Sequence, residues 1–273
     1  MFIKVCLLAA VIPFFPSAAD ADCRPQAPCY SGESVVNAAS GSPGALGPNT
    51  LATIYGTGLA FDEKAISPSD VNADQLPIVL PGTGVTVSVG GYPAHIYYVS
   101  PGQITLLIPS NLRPTTVTLQ VVRQGTAGPG VQVRLLEEAP ALFQSGQQEV
   151  VASHEDFSLV TPLSPARPGG WLILWATGLG PVTPPAVYGM IPEAAARIDR
   201  IADFRVLLDG AAVSADRIQY AGVAPGCAGL YQINLKLPEV VSTNPEVRIA
   251  VGSQISPAGL HVYVQPASDL PRS

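Results

Sequence analysis

The sequence is poor in charged residues, and this scarcity limits the partners that the protein can have. Asp, Glu, Lys and Arg together make up 12% of the 273 residues, about half of the ~25% that is typical of globular domains. The net charge is -6, and the few Lys and Arg residues are scattered singly. Because no basic patch is present to neutralise phosphates, we expect no nucleic-acid partner.

Residues suited to catalysis are equally scarce. The chain has three histidines, His95, His154 and His261, and none has a second histidine at metal-ligand spacing. No Gly-x-Ser-x-Gly elbow, Walker loop or His-Glu-x-x-His motif occurs. We therefore predict a protein that is not an enzyme and that holds no cofactor or metal. His95 is expected on the outer face of a strand, and His154 in an exposed loop.

The acidic residues fall where solvated turns normally lie. Asp62, Glu63, Asp70 and Asp74 lie in the segment 62–74. Asp209, Asp216 and Glu239 lie near predicted hairpins. Folding could still bring two carboxylates together for glycoside hydrolysis, and the 62–74 segment could offer oxygen ligands to calcium, although its spacing matches no established calcium loop. A secreted hydrolase with an unrecognised site thus stays a disfavoured alternative.

Long hydrophobic runs are missing except at the N-terminus. Residues 1–4 carry one positive charge, residues 5–15 are apolar, and small residues follow at Ser17, Ala19 and Ala21. This order is typical of a signal peptide over residues 1–21, and the apolar run is too short to span a bilayer. We expect an exported protein, extracellular, periplasmic or on the cell surface, with no transmembrane segment in the mature chain.

Cysteine usage fits export. Cys6 would leave with the signal peptide, so the mature chain would keep Cys23, Cys29 and Cys227. Cys23 and Cys29 are close enough in sequence to close a small disulfide loop in an oxidising compartment. Cys227 is then left over, and we expect it to be a buried or idle thiol rather than a nucleophile.

What the chain has in abundance is glycine, proline and apolar residues. It contains 26 glycines and 28 prolines, and 47% of its residues are hydrophobic. Apolar residues alternate over five to seven positions, and Pro-Gly, Gly-Gly and Asp-Gly pairs separate these runs. Such a pattern predicts many short strands that each bury one face.

The sequence also repeats itself once. Segments that match in order, at offsets of about 120–130 residues, are 51–59 with 171–179, 85–91 with 204–210, 103–109 with 232–238, and 116–123 with 246–251. A period of this length corresponds to a whole domain rather than to a solenoid unit. With about seven predicted strands in each copy, the repeat predicts an all-β protein of two tandem immunoglobulin-like antiparallel β-sandwiches.

We divide the chain on this basis, with a boundary near Pro140. The predicted parts are the signal peptide (1–21), a short cysteine-containing segment (22–34), a first sandwich (35–139), a second sandwich (140–267) and a tail (268–273). Residues 61–74 are interpreted as a loop, and residues 192–199 as a short helix or turn.

Several motifs resemble the Solibacter-type C-terminal domain of exported acidobacterial proteins. They are 35–40 (VVNAAS), 98–104 (YVSPGQI), 139–143 (APALF), 176–185 (ATGLGPVTPP), 220–226 (YAGVAPG) and 229–234 (GLYQIN). Each half also resembles the IPT/TIG class of immunoglobulin-like domains, through an opening strand such as 54–59 (IYGTGL). The resemblance implies an appendage of exported proteins and supplies no catalytic residues.

Aromatic residues are the best candidates for binding. Trp171 and Trp175 share one face of a predicted strand, and Tyr55 is the counterpart of Trp175 in the first copy. The two tryptophans could stack on a sugar or anchor a protein contact, or they could fill the interface between the copies. Gln103 and Gln232, which begin equivalent strands, are expected to hydrogen-bond a neighbouring turn.

The sequence therefore predicts a non-enzymatic module for binding or adhesion at the cell surface, with an unknown protein or glycan ligand. The alternative is a structural spacer or assembly unit of the cell envelope. Exposed aromatics in a shallow groove would favour binding, whereas tryptophans buried between the copies would favour the spacer.

Overall fold

The computed structural model describes residues 23–266 with the exception of residues 45 and 147. The predicted signal peptide and the whole of the predicted tail lie outside the described residues. The chain is all-β, as the alternation of apolar residues predicts. Its helical content is confined, among the described residues, to single 3₁₀ turns at Gly32–Ser34, Pro68–Asp70, Ile201–Asp203 and Ala215–Arg217.

The first copy is built from ten strands among the described residues. They are β1 (Val35–Asn37), β2 (Leu51–Tyr55), β3 (Lys64–Ala65), β4 (Val85–Val89), β5 (Tyr92–Pro93), β6 (His95–Ser100), β7 (Gln103–Leu107), β8 (Thr116–Arg123), β9 (Thr126–Ala127) and β10 (Val131–Arg134). One sheet has the order β1-β2-β7-β6-β3, and the other has the order β10-β8-β4-β5, with β9 beside β8.

The second copy repeats this plan. Its strands are β11 (Ala141–Leu142), β12 (Gln144–Ser145), β13 (Glu149–Val150), β14 (Ala152–Ser153), β15 (Trp171–Thr177), β16 (Val182–Thr183), β17 (Ala196–Ile198), β18 (Phe204–Leu208), β19 (Ala211–Ala212), β20 (Ile218–Val223), β21 (Tyr231–Lys236), β22 (Val247–Val251) and β23 (Gln254–Ile255). The larger sheet has the order β11-β15-β21-β20-β17-β16 with β14 beside β15, and it faces the sheet β19-β18-β22-β23.

The two copies share a detail that argues strongly for duplication. In the first copy the β6–β7 register slips between Ile96 and Tyr98, and in the second copy the β20–β21 register slips between Ile218 and Tyr220. A β-bulge of this kind bends the strand, redirects its side chains and is a specific structural feature rather than an irregularity. Its recurrence at the equivalent position makes Tyr98 the counterpart of Tyr220.

The interior of the second copy follows from period-two alternation. Leu172, Leu174 and Ala176 of β15 lie opposite Leu235, Ile233 and Tyr231 of β21, and all six are buried in one cluster. Side chains on cross-strand partners point to the same side of a sheet. The alternate residues of these two strands therefore form the outer face of the larger second-copy sheet.

The core of the first copy continues into the second. Phe143, Ile173, Trp175 and Leu230 belong to the same buried cluster as the first-copy core. Hydrogen bonds cross the junction as well: the Leu51 amide donates to Thr177 Oγ1 at 3.0 Å, Thr177 Oγ1 donates to the Gly229 carbonyl at 2.7 Å, and Tyr97 Oη donates to the Ala228 carbonyl at 2.9 Å. The junction is therefore a packed interface rather than a flexible hinge.

A loop of the second copy, residues 184–191, extends this interface. The Leu76 amide donates to the Gly189 carbonyl at 2.9 Å, and the Ile191 amide donates to the Asp74 carbonyl at 2.7 Å. The short helix or turn predicted over residues 192–199 is wrong at residues 196–198, which form β17, while the preceding residues bend towards the first copy. The sheet edge beside β20 offers a strand more hydrogen bonds than an isolated helical turn would make.

Cys23 and Cys29 form a disulfide with a Cα–Cα distance of 5.2 Å. The loop that it closes is held against the first sandwich, since Arg123 Nη2 donates to the Gln26 carbonyl at 2.5 Å. Cys227 is buried, as one of the two alternatives predicted, but it is disulfide-bonded, so the expectation of a free thiol is wrong. No cysteine in the described part of the chain is free.

Candidate functional site

The structure separates the aromatic residues that the sequence singled out. Trp175 is 5% exposed, and its Nε1 donates to Ser153 Oγ at 3.0 Å, so it belongs to the junction between the copies. Trp171 is partly exposed at the far end of the same outer face, and Tyr55 is partly exposed on the first copy. A binding role is therefore open to Trp171 but not to Trp175.

Register places several polar residues beside Trp171. On β21 the outward positions are Lys236 opposite Trp171, Asn234 opposite Ile173, and Gln232 opposite Trp175. On β20, Tyr220 pairs with Asn234. We call this surface the amide face: it consists of Trp171, Tyr220, Gln232, Asn234 and Lys236, together with Arg197, which lies opposite Gly222 on β17.

Tyr220 lies flat on the amide face because the next outward residue of its strand is a glycine. A Cβ on Gly222 would lie 2.5 Å from Tyr220 Oη and 2.8 Å from Tyr220 Cζ. The hydroxyl is fixed at the end of the ring, 2.7 Å from the Val223 carbonyl and 3.1 Å from the Ala196 carbonyl. Partial burial raises the pKa of this hydroxyl, which keeps it a neutral donor. The ring is thus a pre-organised, partly exposed aromatic platform.

The two amides of the face orient each other. Gln232 Nε2 donates to Asn234 Oδ1 at 2.7 Å, which leaves Gln232 Oε1 and Asn234 Nδ2 directed away from this bond. The equivalent Gln103 donates to Thr105 Oγ1 at 3.1 Å. The expectation that Gln103 and Gln232 bond a turn is therefore wrong, because each bonds the next outward residue of its own strand.

The charged residues of this sheet are all cations. Within its seven strands, β11, β14, β15, β16, β17, β20 and β21, the charged residues are Lys236 and Arg197. Lys236 is exposed beside Trp171, and Arg197 is exposed opposite Gly222. Arg197 Nη2 donates to the Gln219 carbonyl at 2.8 Å, and neither residue forms an ion pair within the described part of the chain.

The loop after β14 packs against Trp175, because the Phe157 ring lies 6.4 Å from the Trp175 ring, centroid to centroid. Phe157 and Leu159 are 44% and 46% exposed, and Leu159 lies opposite Ser153, whose side chain bonds the indole of Trp175. The loop is fixed by Asp156, which accepts from the Ser158 amide at 3.0 Å and from its hydroxyl at 2.6 Å. These hydrogen bonds hold the pKa of Asp156 below its usual value.

This loop also contains a serine next to a histidine, which calls for a test of the hydrolase alternative. Ser164 Oγ lies 3.2 Å from His154 Nε2, but the same Nε2 lies 3.1 Å from the Ser164 carbonyl. Because a carbonyl can only accept, Nε2 must carry a proton to bond it and is then no base for the hydroxyl. Asp156 is engaged by Ser158, so it does not orient the ring. The arrangement braces a turn.

His95 is the largest departure from the expected placement of polar residues. It pairs with Leu107 and so lies on the outer face of its sheet, but it is only 1% exposed because the second-copy loop covers it. Tyr188 packs edge-on against its ring at a centroid distance of 4.8 Å, and a Cβ on Gly189 would lie 1.9 Å from His95 Nε2. His95 Nδ1 lies 2.6 Å from the Leu76 carbonyl, whereas Nε2 is buried without a hydrogen-bond partner among the described residues.

Neither a metal-binding cluster nor a membrane-spanning helix occurs in the part of the chain that the structure describes. It contains no group of three or more His, Cys, Asp or Glu side chains that could hold a metal ion. It also contains no helix that is long and apolar enough to cross a membrane.

Comparison with known proteins gives likenesses of low similarity. A surface glycan-binding protein from Prevotella bryantii is 9% identical, over 81% of this chain and 38% of that chain, with a TM-score of 0.28. A glycan-binding protein of the Bacteroides ovatus mixed-linkage glucan utilisation locus is 11% identical, over 93% and 48%, with a TM-score of 0.31. A domain tandem from titin is 10% identical, over 80% and 61%, with a TM-score of 0.24.

This chain thus spans less than half the length of the two bacterial proteins, and at such TM-scores none of the three likenesses carries a functional argument. No family model matches the chain, and no curated protein matches it.

Sequence reasoning missed most of the amide face. Tyr220, Asn234, Lys236 and Arg197 were not predicted as binding residues. Alternation along residues 231–236 could have found two of them, because the inward positions of Ile233 and Leu235 leave Asn234 and Lys236 facing outward. The flat position of Tyr220 depends on Gly222, and that relation needs the tertiary structure.

Proposed function

We propose that this chain is a non-enzymatic binding module of an exported protein and that the amide face is its ligand-contacting surface. The observation that carries the proposal is the Tyr220 platform, held flat over Gly222 beside outward-facing amides and the partly exposed Trp171. Rigid aromatic rings with few rotatable bonds bind ligands at low entropic cost.

A comparison within the chain supports a ligand at this face. The first-copy residues equivalent to Trp171, Lys236 and the bulge residue Gln219 are Leu51, Leu107 and Tyr97. These three are buried under the second copy: a Cβ on Gly229 would lie 2.6 Å from Leu107 and 2.9 Å from Leu51, and Tyr97 bonds the Ala228 carbonyl.

At this end of the sheet the second copy therefore has polar and amphipathic side chains, whereas the first copy has mostly apolar side chains that pack against the second copy. Residues selected only to dock another sandwich would have kept leucine there, because docking is driven by burial of apolar surface. The change to tryptophan, lysine and glutamine suits a hydrated ligand instead.

The proposal is tested by retention of the mature protein on immobilised bacterial cell-envelope fractions, polysaccharides and proteins. We expect retention of the wild type and loss of retention for Trp171→Ala. Phe61→Ala is the matched control, since Phe61 is an aromatic residue of the first copy that is 57% exposed and contacts Arg123 of the same copy. Retention that Trp171→Ala leaves unchanged would refute a role for the amide face.

A structural spacer is the second candidate, and the junction between the copies favours it. Trp175, Tyr97 and the 184–191 loop lock the two sandwiches together, which leaves the pair little freedom to bend. If the wild type is retained on no surface and elutes as a multimer in size-exclusion chromatography, assembly replaces binding as the function.

A further inference from the structure

The charge distribution of the amide face is opposite in sign to that of the whole chain. The chain carries 20 Asp and Glu residues against 14 Lys and Arg, yet the strands of this sheet contain no acid in their described residues. Lys236 and Arg197 stand exposed at two sides of Tyr220, and no acid of the described chain pairs with either. Unpaired cations on an otherwise acidic protein create a local potential that attracts anionic groups.

The position of the cations suits an extended ligand. Lys236 lies on β21, and Arg197 lies on β17, with β20 between these two strands. Because neighbouring strands are about 4.8 Å apart, the strands that carry the two cations are about 10 Å apart. Tyr220, on the strand between them, offers its ring face to the middle of such a ligand.

The uncharged groups of the face indicate a sugar rather than a peptide. Tyr220 and Trp171 present aromatic rings, which stack on the apolar faces of pyranose rings. Gln232 Oε1 and Asn234 Nδ2 offer one acceptor and one donor, the complement of a sugar hydroxyl, which both donates and accepts. No strand edge is required for this contact, whereas an extended peptide is recognised mainly by pairing with a free edge.

We infer that the amide face binds an acidic polysaccharide, one whose sugar units carry carboxylates, laid across β21, β20 and β17. The inference rests on the proposed binding function. Lys236 and Arg197 pair with carboxylates on separate sugar units, the sugar between them stacks on Tyr220, and the amides bond its hydroxyls.

Acids at two margins of the sheet limit where the polymer can run. Asp199 accepts from Thr183 Oγ1 at 2.7 Å, and the Glu239 carboxylate lies against Gly169, where a Cβ would be 2.2 Å from it. Both lie at the margins of the sheet. They repel a carboxylate at the β16 edge and beyond the Trp171 end, so the polymer follows the path between them.

The test is isothermal titration of the mature protein with polygalacturonate, with a neutral β-glucan and polyglutamate as comparison polymers. We expect binding of polygalacturonate that weakens as NaCl is raised, because exposed charge pairs are screened by salt. We expect no binding of the neutral polymer, and none of polyglutamate, which has the carboxylates but no sugar ring.

Variants separate charge from stacking. Lys236→Gln combined with Arg197→Gln is expected to weaken polygalacturonate binding by about tenfold or more, since hydrogen bonds to charged groups are the strong ones. The charge-matched control is Arg113→Gln with Arg134→Gln on exposed first-copy positions, expected to change binding less than about twofold. Tyr220→Phe keeps the ring and is expected to bind, whereas Tyr220→Ala is not.

The outcomes discriminate between the two proposals. Equal binding of the neutral glucan, or of polyglutamate, overturns the acidic polysaccharide while leaving a binding module in place. Retention on envelope fractions without binding of polygalacturonate likewise overturns the acidic polysaccharide and leaves the binding module in place. Absence of both kinds of binding, in a protein whose thermal unfolding shows it to be folded, overturns both proposals.

Discussion

The outer face of the sheet that contains β2 and β7, or β15 and β21, is buried at opposite ends in the two copies. In the first copy the end formed by Leu51, Leu107 and Tyr97 is buried under the second copy. In the second copy the equivalent end, formed by Trp171, Lys236 and Gln219, is accessible. The opposite end shows the reverse, because Trp175 is buried at the junction while its counterpart Tyr55 is partly exposed.

This comparison shows that a duplicated fold does not imply a duplicated site. Both copies keep the bulge, the tyrosine that follows it and the glutamine that bonds the next outward residue. What differs is which end of the face the other copy covers. Contact between the domains therefore decides where a ligand can reach the sheet.

The largest expected loss of stability comes from a substitution at the buried end of the outer face of the second copy. Trp175→Ala removes a ring packed between the copies, and we expect a loss of about 3–5 kcal/mol in the free energy of unfolding. The equivalent Tyr55→Ala should cost about 1–2 kcal/mol, because that ring is only partly buried. Urea denaturation monitored by circular dichroism measures both. Equal costs for the two substitutions would contradict the asymmetry.

The next effect concerns the residue that keeps Tyr220 flat. In Gly222→Ala the new Cβ would lie 2.2 Å from the Ala196 carbonyl oxygen as well as against the tyrosine, so we expect a loss of about 1–3 kcal/mol together with loss of ligand retention. The first copy has Ser100 at this position, and Ser100→Ala should stay within about 0.5 kcal/mol. Unchanged retention by a folded Gly222→Ala protein would remove the tyrosine platform from the proposal.

A pH dependence should distinguish the two copies at the start of the bulged strand. His95 is buried where the second copy has Arg217, and burial lowers the pKa of His95. Between this lowered pKa and the unfolded value of about 6.5, the unfolded chain holds more protons. The contribution of neutral His95 to the free energy of unfolding is therefore complete above about pH 6.5 and is lost as pH falls through the lowered pKa.

The contact of His95 with Tyr188 and Gly189 means that this loss falls on the interface between the copies. Denaturation midpoints measured from about pH 7.5 to about pH 4.5 should fall less steeply for His95→Gln than for the wild type. His154→Gln, which alters an exposed loop, should follow the wild type. A His95→Gln profile that parallels the wild type would exclude the buried ring as the source.

The smallest effect on stability is expected at the accessible end. Trp171→Ala should lower the free energy of unfolding by about 1 kcal/mol or less, because the ring is only partly buried, while it abolishes ligand retention. Thermal unfolding and retention are measured on the same preparation. A loss comparable to that of Trp175→Ala would show that Trp171 is a packing residue and would break the comparison between the two ends.

Much of the fold could be predicted because it rests on local patterns. Period-two alternation identified the inward set Leu172 and Leu174 correctly, and the repeat identified equivalent strands. The assignment of residues 192–199 as a helix or turn failed at Ala196–Ile198, since helix propensity was outweighed by hydrogen bonds to the edge of a sheet. The burial of His95 was not predicted, because alternation within one copy cannot show what the other copy covers.

The sequence by itself determined that the protein is all-β, that its fold is immunoglobulin-like and repeated, and which residues face inward on strands such as β15. These properties follow from the order of apolar and turn-forming residues along the chain. Only the tertiary structure decided that Trp175 is buried and Trp171 accessible, that Gly222 keeps Tyr220 flat, and that Lys236 and Arg197 flank it. These relations join residues on different strands and copies, and the distance between such residues depends on how the sheets pair and dock.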